Sequence, residues 1–167
     1  MLDWEQLTLN LLSVLGGGIV SAIVVANLAT RRDRKDYTRK KLEEIHELIR
    51  NDNVLFFDWW IRYLAAFEGT ISLKDAQNKP VTLTEGMERK TKAEMLVNLY
   101  APKTLPTLEA YWNEKKSFVF VINDMSKELA VAGLDHIPLD RFHAASRRVD
   151  QARENLLASI VLQSSKI

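Results

Sequence analysis

The sequence contains no cysteine among its 167 residues. Disulfide bonds, thiolate metal sites and cysteine nucleophiles are therefore excluded, and the composition suits a reducing compartment. The formal net charge is only +1, so no overall field draws nucleic acid or acidic substrates towards the protein. These absences remove several classes of enzyme and of nucleic-acid-binding protein before any motif is considered.

Motifs for catalysis are also missing from the sequence. It has no GxxxxGK phosphate loop and no GxSxG nucleophile elbow, and its three histidines form no HExxH pair. His46 lies in EEIHE without a second histidine four residues away, so we do not expect it to bind a metal. Arg141, Arg147 and Arg148 lack an aromatic platform for stacking bases. We therefore predict no catalytic residue, no cofactor and no metal site, and we expect no nucleic-acid partner.

Charge is entirely missing from residues 6–30, between Glu5 and Arg31. A helix of about 24 residues is about 36 Å long, which is enough to cross a ~30 Å hydrocarbon core. The segment is longer than the core of a signal peptide, and its basic residues follow the apolar stretch instead of preceding it. We therefore predict an uncleaved transmembrane anchor over residues 1–30. The alternative is a buried core helix, but an uncharged helix of this length has almost no stripe for solvent.

Small residues recur at intervals of four within the predicted anchor. They let helix backbones approach closely, and such contact offsets the helix-weakening effect of glycine. We predict that this stripe packs against another membrane helix, so we expect a homo-oligomer. The predicted packing residues are Gly17, Gly18, Ser21, Ala22 and Ala26.

A basic cluster, RRDRK, follows the uncharged run at once. The positive-inside rule then places the C-terminal domain in the cytoplasm and a few N-terminal residues outside. Basic residues close to a bilayer also attract anionic lipid head groups, by about 1 kcal/mol each. The residues predicted to set topology and contact membrane lipid are Arg31, Arg32, Arg34 and Lys35. This layout is similar to that of many small bacterial inner-membrane proteins, an architectural likeness that does not establish function.

The remainder of the chain shows helical periodicity and no convincing strand alternation. We predict a basic juxtamembrane helix over residues 31–52, ended by Asn51-Asp52-Asn53, and a cytoplasmic helical bundle over 53–167. The first of these has an apolar stripe at Leu42, Ile45, Leu48 and Ile49. The fold class is therefore all-α, with one N-terminal transmembrane helix followed by a cytoplasmic bundle of about four or five helices.

Within the bundle region, residues 69–82 lack helical periodicity and are predicted to be a long loop. A helix should then run from a cap at Thr82 or Thr84 to about Tyr100, with Met95, Leu96, Leu99 and Tyr100 on its apolar half. Thr104 is predicted to cap a long helix that ends at Gly133. Its stripe contains Leu108, Tyr111, Lys115, Phe118, Ile122, Met125, Leu129 and Ala132.

The last helix begins at Pro138, and we expect it to form an antiparallel hairpin with the preceding one. Its stripe contains Phe142, Ala145, Val149, Ala152, Leu156 and Ile160.

The most apolar segment outside the anchor is 54–67, VLFFDWWIRYLAAF. It is too short to span a bilayer. Two interpretations compete: a central helix of the bundle, with Trp59 or Trp60 buried against the hairpin, or a helix in the membrane interface. We predict the central helix. Asp58 and Arg62 are four residues apart, so they share a face and are expected to pair.

These features predict a non-enzymatic, membrane-anchored protein of the inner membrane. It would form oligomers, or tether a cytoplasmic protein partner at the bilayer, through its helices. The alternative is an oligomeric membrane effector, defence- or toxin-like, that permeabilises the bilayer when its cytoplasmic bundle senses a trigger. One span cannot enclose a pore, so this alternative requires several copies. A hydrolase or nucleotide-binding enzyme is the third interpretation, and no site in the sequence favours it.

Overall fold

The fold is all-helical over the part of the chain that the computed structural model describes, residues 4–78, 83–133 and 137–165. Side chains are described from Val24 onward, apart from those of 83–85 and 132. The chain divides into two units, Met1–Lys40 and Lys41–Ile167, and we call the second unit the bundle. The helices are α1 (Trp4–Phe67), α2 (Leu73–Gln77), α3 (Leu83–Tyr100), a 3-10 turn (Pro102–Thr104), α4 (Leu105–Ala132) and α5 (Leu139–Ser164).

The predicted all-α class is confirmed, with five α-helices and no strand in the described ranges. The transmembrane part of that prediction has no such support. Among the residues searched, which are the described ones, no helix is both long and apolar enough to cross a membrane. The greater part of the predicted span, residues 6–23, lies outside the described side chains.

Helices α4 and α5 form the predicted antiparallel hairpin. Contacts pair the start of α4 with the end of α5, and the reverse: Ser159 donates to Thr104 at 3.2 Å, and Arg141 pairs with Glu128 at 2.8 Å. Each helix turns towards the core the apolar stripe that the residue spacing of its sequence predicts. The stripe residues that are buried are Leu108, Tyr111, Phe118, Ile122 and Met125 of α4, and Phe142, Ala145, Val149, Ala152, Leu156 and Ile160 of α5.

The core of the bundle is centred on aromatic contacts between three helices. The ring of Phe118 lies 5.0 Å from that of Phe56 in α1 and 5.1 Å from that of Phe142 in α5. Leu42, Ile45 and Ile49 extend the same core along α1, as their spacing predicts. Aromatic pairs in such geometry add to the free energy gained by burying their area.

The predicted helix end at Asn51-Asp52-Asn53 is wrong, because α1 continues unbroken to Phe67. Asx residues favour caps when their side chains bond to the local backbone. Here the Asp52 carboxylate is buried and accepts hydrogen bonds from α4 instead. A tertiary contact therefore overrides the local preference for a break.

Segment 54–67 contributes one face to the bundle core, as predicted. Phe56, Tyr63 and Phe67 are buried. Trp59 and Trp60 are partly buried and contact both helices of the hairpin, at ring distances of 6.1 Å to Phe118 and 6.0 Å to Phe142. The opposite face carries exposed apolar side chains instead of polar ones, namely Val54, Phe57 and Ile61.

Three further expectations need correction. Part of the predicted 69–82 loop is helix α2, which Ser72 caps by accepting a hydrogen bond from the Asp75 amide. Residues 79–82, with the predicted Thr82 cap, lie outside the described residues. Thr104 makes no side-chain cap. Its buried hydroxyl accepts from Ser159 instead.

The face of α3 that is buried in the bundle differs from the one that the sequence predicts. Met95 and Leu99 are 52% and 65% exposed, although Leu96 is buried as expected. Ala93 and Val97 lie in the core with Leu96. Because the Ala93 side chain is small, it contributes little to the hydrophobic periodicity, and the periodicity does not reveal the buried face of α3.

Replacing Phe118 with alanine should lower the free energy of unfolding by about 3–5 kcal/mol, because it removes a fully buried ring at the centre of three helices. The matched control is Phe120→Ala in the same helix, where the ring is 58% exposed and the loss should stay below about 1 kcal/mol. Urea unfolding of the full chain in mild detergent, followed by tryptophan fluorescence, measures both. Equal losses in the two variants would contradict this core.

Candidate functional site

A cluster of Asp52, Tyr111 and Lys115 joins α1 to α4 inside the bundle, and only its lysine is partly exposed, at 22%. Asp52 lies on α1 and is 4% exposed, while the other two lie one turn apart on α4. The Tyr111 hydroxyl and the Lys115 ammonium each donate to Oδ2 of Asp52 at 2.6 Å. Two charge-assisted hydrogen bonds thus compensate a carboxylate that has lost its water.

Aromatic rings surround the ammonium group of this cluster. Lys115 Nζ lies 5.0 Å from the ring centre of Trp112, 5.6 Å from that of Tyr111 and 5.8 Å from that of Phe56. A cation within about 6 Å of an aromatic face is attracted by the ring quadrupole. The rings and the carboxylate together form a cage for a cation, and the cation that fills it is the protein's own lysine.

The electrostatics of the cluster keep its tyrosine protonated. Burial raises the pKa of Tyr111, and the neighbouring Asp52 carboxylate raises this pKa further. Tyr111 therefore acts as a hydrogen-bond donor and not as a base. Because both donors converge on the same oxygen of Asp52, the arrangement joins α1 to α4, which is a structural role.

Two signals in the sequence could have revealed this cluster. Lys115 occupies a position in the apolar stripe of α4, where a charged side chain requires a buried partner. Asp52 follows Ile45 and Ile49 at helical spacing, so it lies on the buried stripe of α1 once that helix is known to continue. The predicted helix break at 51–53 concealed the second signal.

The predicted pair of Asp58 and Arg62 is present but lies nearer the surface. Arg62 Nε is 3.6 Å from Asp58 Oδ2, and the two side chains are 33% and 39% exposed, Arg62 first. Surface pairs of this kind contribute about 0–1 kcal/mol. The geometry thus gives this pair a smaller energetic role than the Asp52 cluster.

Two of the three histidines, His46 and His143, have described side chains. His143 packs its ring against Trp60 and Phe142. His46 is half-buried on α1, and His136 lies outside the described residues. In the described ranges, no group of three or more histidine or acidic side chains could hold a metal ion.

The predicted membrane-contacting residues fall into two sets. The collar residues Arg31, Arg32, Arg34 and Lys35 are all exposed on α1. Of the predicted packing stripe, only Ala26 has a described side chain, and it is exposed. The other members, Gly17, Gly18, Ser21 and Ala22, lie outside the residues whose side chains are described.

A second ionic cluster joins α1 to α3 near the bundle surface. Glu44 pairs with Lys41 at 2.8 Å and with Lys92 at 2.9 Å. Hydrogen bonds from these two ammonium groups lower the pKa of Glu44 to about 2. The carboxylate therefore remains charged through the ordinary pH range and attracts both lysines.

The hairpin also carries an open groove of about 400 Å³ between α4 and α5. Its lining includes the small side chains of Ala110 and Ala152 and the Glu114–Arg148 ion pair. Its polar groups include Thr107, Gln151 and Asn155. Gln151 and Asn155 hydrogen-bond to one another at 3.2 Å, and no nucleophile–base pair is formed by these groove residues.

Comparison of the chain with protein-family models, curated protein sequences and solved structures finds no match.

Replacing Lys115 with methionine should lower the free energy of unfolding by about 3–5 kcal/mol, because it leaves the buried Asp52 carboxylate without its counter-charge. Adding Asp52→Leu should restore part of that loss, so the double variant is more stable than the sum of the single changes predicts. Urea unfolding of the four species measures the coupling.

The control pair is Asp124–Lys127 on α4, whose side chains are 57% and 79% exposed. Its coupling should lie below about 1 kcal/mol. Strict additivity at Asp52 and Lys115 would contradict a buried pair.

The Glu44 cluster predicts a pH-dependent contribution to stability. Because the pKa of Glu44 falls from 4.5 unfolded to about 2 folded, its stabilising effect is full above about pH 4.5 and is lost as the pH falls towards 2. The stability difference between the protein and Glu44→Gln should therefore be constant from pH 5 to 8 and shrink in acid. Glu43→Gln removes the same charge from the exposed neighbouring position and is the matched control. A difference that grows in acid would contradict the assignment.

Proposed function

We propose that the protein is a non-enzymatic, membrane-anchored helical protein that acts by contact, forming oligomers or tethering a cytoplasmic protein partner at the membrane. The observation that carries the proposal is the uncharged run of residues 6–30, which is followed immediately by basic residues on one continuous helix. In this proposal the run is a single transmembrane span.

Exposed apolar side chains on the N-terminal unit support the anchor. Val24, Val25 and Leu28 are 50%, 64% and 59% exposed, and Arg31 follows one turn after Leu28. Exposed aliphatic residues beside an arginine-rich turn are typical of the end of a membrane span. The basic residues then orient the protein with its N-terminus outside and the bundle in the cytoplasm of a cell with an inner membrane.

The construction of the bundle supports action by contact. Its strongest polar cluster is internal, and both donors there are committed to Asp52. Its outer surface includes apolar side chains at helical spacing, Val54, Phe57 and Ile61, on the face of α1 that points away from the core. Exposed apolar groups at i, i+3 and i+7 suit docking of another helix.

The second candidate is the oligomeric effector that permeabilises the bilayer. It is favoured by the small-residue spacing of the predicted span, which suits assembly of several copies. The two candidates differ in their cellular effect. The tether should leave the membrane potential intact when overproduced, whereas the effector should dissipate it.

The anchor can be tested by fractionation of cells that produce the full chain with a C-terminal tag. We expect the protein to resist carbonate extraction, and the tag to be protected from protease in spheroplasts. Ile19→Arg with Val24→Arg should release the protein, because each arginine near the centre of a span costs about 3 kcal/mol.

The matched control adds the same two charges to the exposed end of α5, as Val161→Arg with Leu162→Arg. This variant should stay in the membrane fraction. Extraction of the unaltered protein by carbonate would refute the anchor, and digestion of the tag in intact spheroplasts would refute the orientation. A mild-detergent pull-down with mass measurement then identifies the partner or the number of copies.

A further inference from the structure

The basic residues after the predicted span are sorted by helix face. At about 100° per residue, Arg31, Lys35 and Arg39 follow one another at intervals of four on one face of α1, with Arg32 beside them. Asp33 lies on the other side of the helix, and Asp36 lies beside this face, about 40° from Arg32. Four of the six basic residues in 31–40 therefore occupy an arc of about 100° that contains no carboxylate.

All four of these side chains are exposed. None forms an ion pair with a carboxylate in the ranges that the structure describes. The positive-inside rule depends on the number of basic residues and not on their face, so topology alone does not require this sorting. A surface that recognises one kind of partner does require it.

The same face continues into exposed apolar side chains. Val24 and Leu28 lie in line with Arg31, Lys35 and Arg39, at successive intervals of four, three, four and four. Val24 and Leu28 are 50% and 59% exposed. Lys35 lies about 10 Å along the helix from Leu28, slightly more than the ~5–8 Å of one head-group layer, and its long side chain can cover the difference.

The opposite face has a different composition. Ala26 and Ala29 lie there, and Asp33 and Lys40 continue it with mixed charge. Small residues suit contact with another helix, and mixed charge does not attract an anionic surface. One side of the helix thus matches lipid, with aliphatic groups at acyl-chain depth and cations at head-group depth, while the other side does not.

We propose that Arg31, Arg32, Lys35 and Arg39 form a docking face for the head groups of anionic membrane lipids. The positive charge of these residues selects an anionic partner. Their long side chains extend along the helix from the apolar Leu28 towards the lipid head groups, so their depth selects lipid. This inference rests on the proposed membrane anchoring. It specifies anionic lipids as the class that is bound and the basic side of α1 as the surface that binds them.

The test uses the full chain in nanodiscs of phosphatidylcholine and phosphatidylglycerol in equal parts, with the lipids that remain bound after gentle release counted by native mass spectrometry. Lys35→Gln with Arg39→Gln removes two charges from the face. The control, Lys40→Gln with Arg50→Gln, also removes one lysine and one arginine, both exposed on α1 but outside the face. Glutamine is a good helix former, so α1 should keep its helicity in both variants, as circular dichroism can verify.

The unaltered protein and the control should retain phosphatidylglycerol in preference to phosphatidylcholine. The face variant should lose up to about 30-fold of that preference, and 1 M salt should produce a similar loss in the unaltered protein. Equal losses in the two variants would overturn the proposal, since they indicate a charge effect without a face. Displacement of the lipid by soluble glycerol phosphate would also overturn it, because the site would then recognise a free anion.

Failure of the anchor is distinguishable from failure of this face. If the chain does not stay in pure phosphatidylcholine vesicles, the anchoring proposal is wrong, and flotation with phosphatidylglycerol vesicles still tests the face. If the chain is anchored but does not prefer phosphatidylglycerol to phosphatidylcholine, only the proposed docking face is refuted.

Discussion

The carboxylate of Asp52 lies inside the bundle, and the arrangement of α1 against α4 depends on how that charge is compensated. A buried carboxylate without partners would be strongly destabilising, so Tyr111 and Lys115 must lie opposite it. This requirement sets the register of the two helices. One turn further along α1, Phe56 then meets Phe118, and Phe118 in turn meets Phe142 of α5. The polar contact therefore positions the aromatic core of the whole bundle.

The ionic contacts of the bundle fall into two physical classes. The Asp52 carboxylate is buried and bonded to α4, so removing its partner is costly. The pairs of Glu114 with Arg148 and of Glu128 with Arg141 lie at the hairpin surface, where solvent screens them. The hairpin is thus stabilised mainly by its apolar stripes, while its ion pairs favour one register over others.

The two units suit different kinds of contact. In the N-terminal unit, exposed aliphatic groups precede a one-sided basic face, which matches the chemical layers of a bilayer. In the bundle, the Asp52 cluster lies inside, while many other charged groups and some apolar side chains such as Phe57 are exposed. In the proposed function, this division would let the N-terminal unit contact the bilayer and the bundle contact a protein partner, because the two are recognised by different chemistry.

The sequence by itself determined the helical class and the buried faces of the longest helices. Leu42 and Ile45 in α1, and the stripes of α4 and α5, were predictable because a helix places every third or fourth residue on one side. The uncharged run and the basic collar are also properties of the sequence alone. Only the tertiary structure decided the continuity of α1 through Asp52, the outward position of Met95 and the pairing of Asp52 with Lys115. Local periodicity shows which face of a helix is apolar, but the partner of a buried charge lies 63 residues away along the chain. Such a partner is determined by packing, which no local pattern contains.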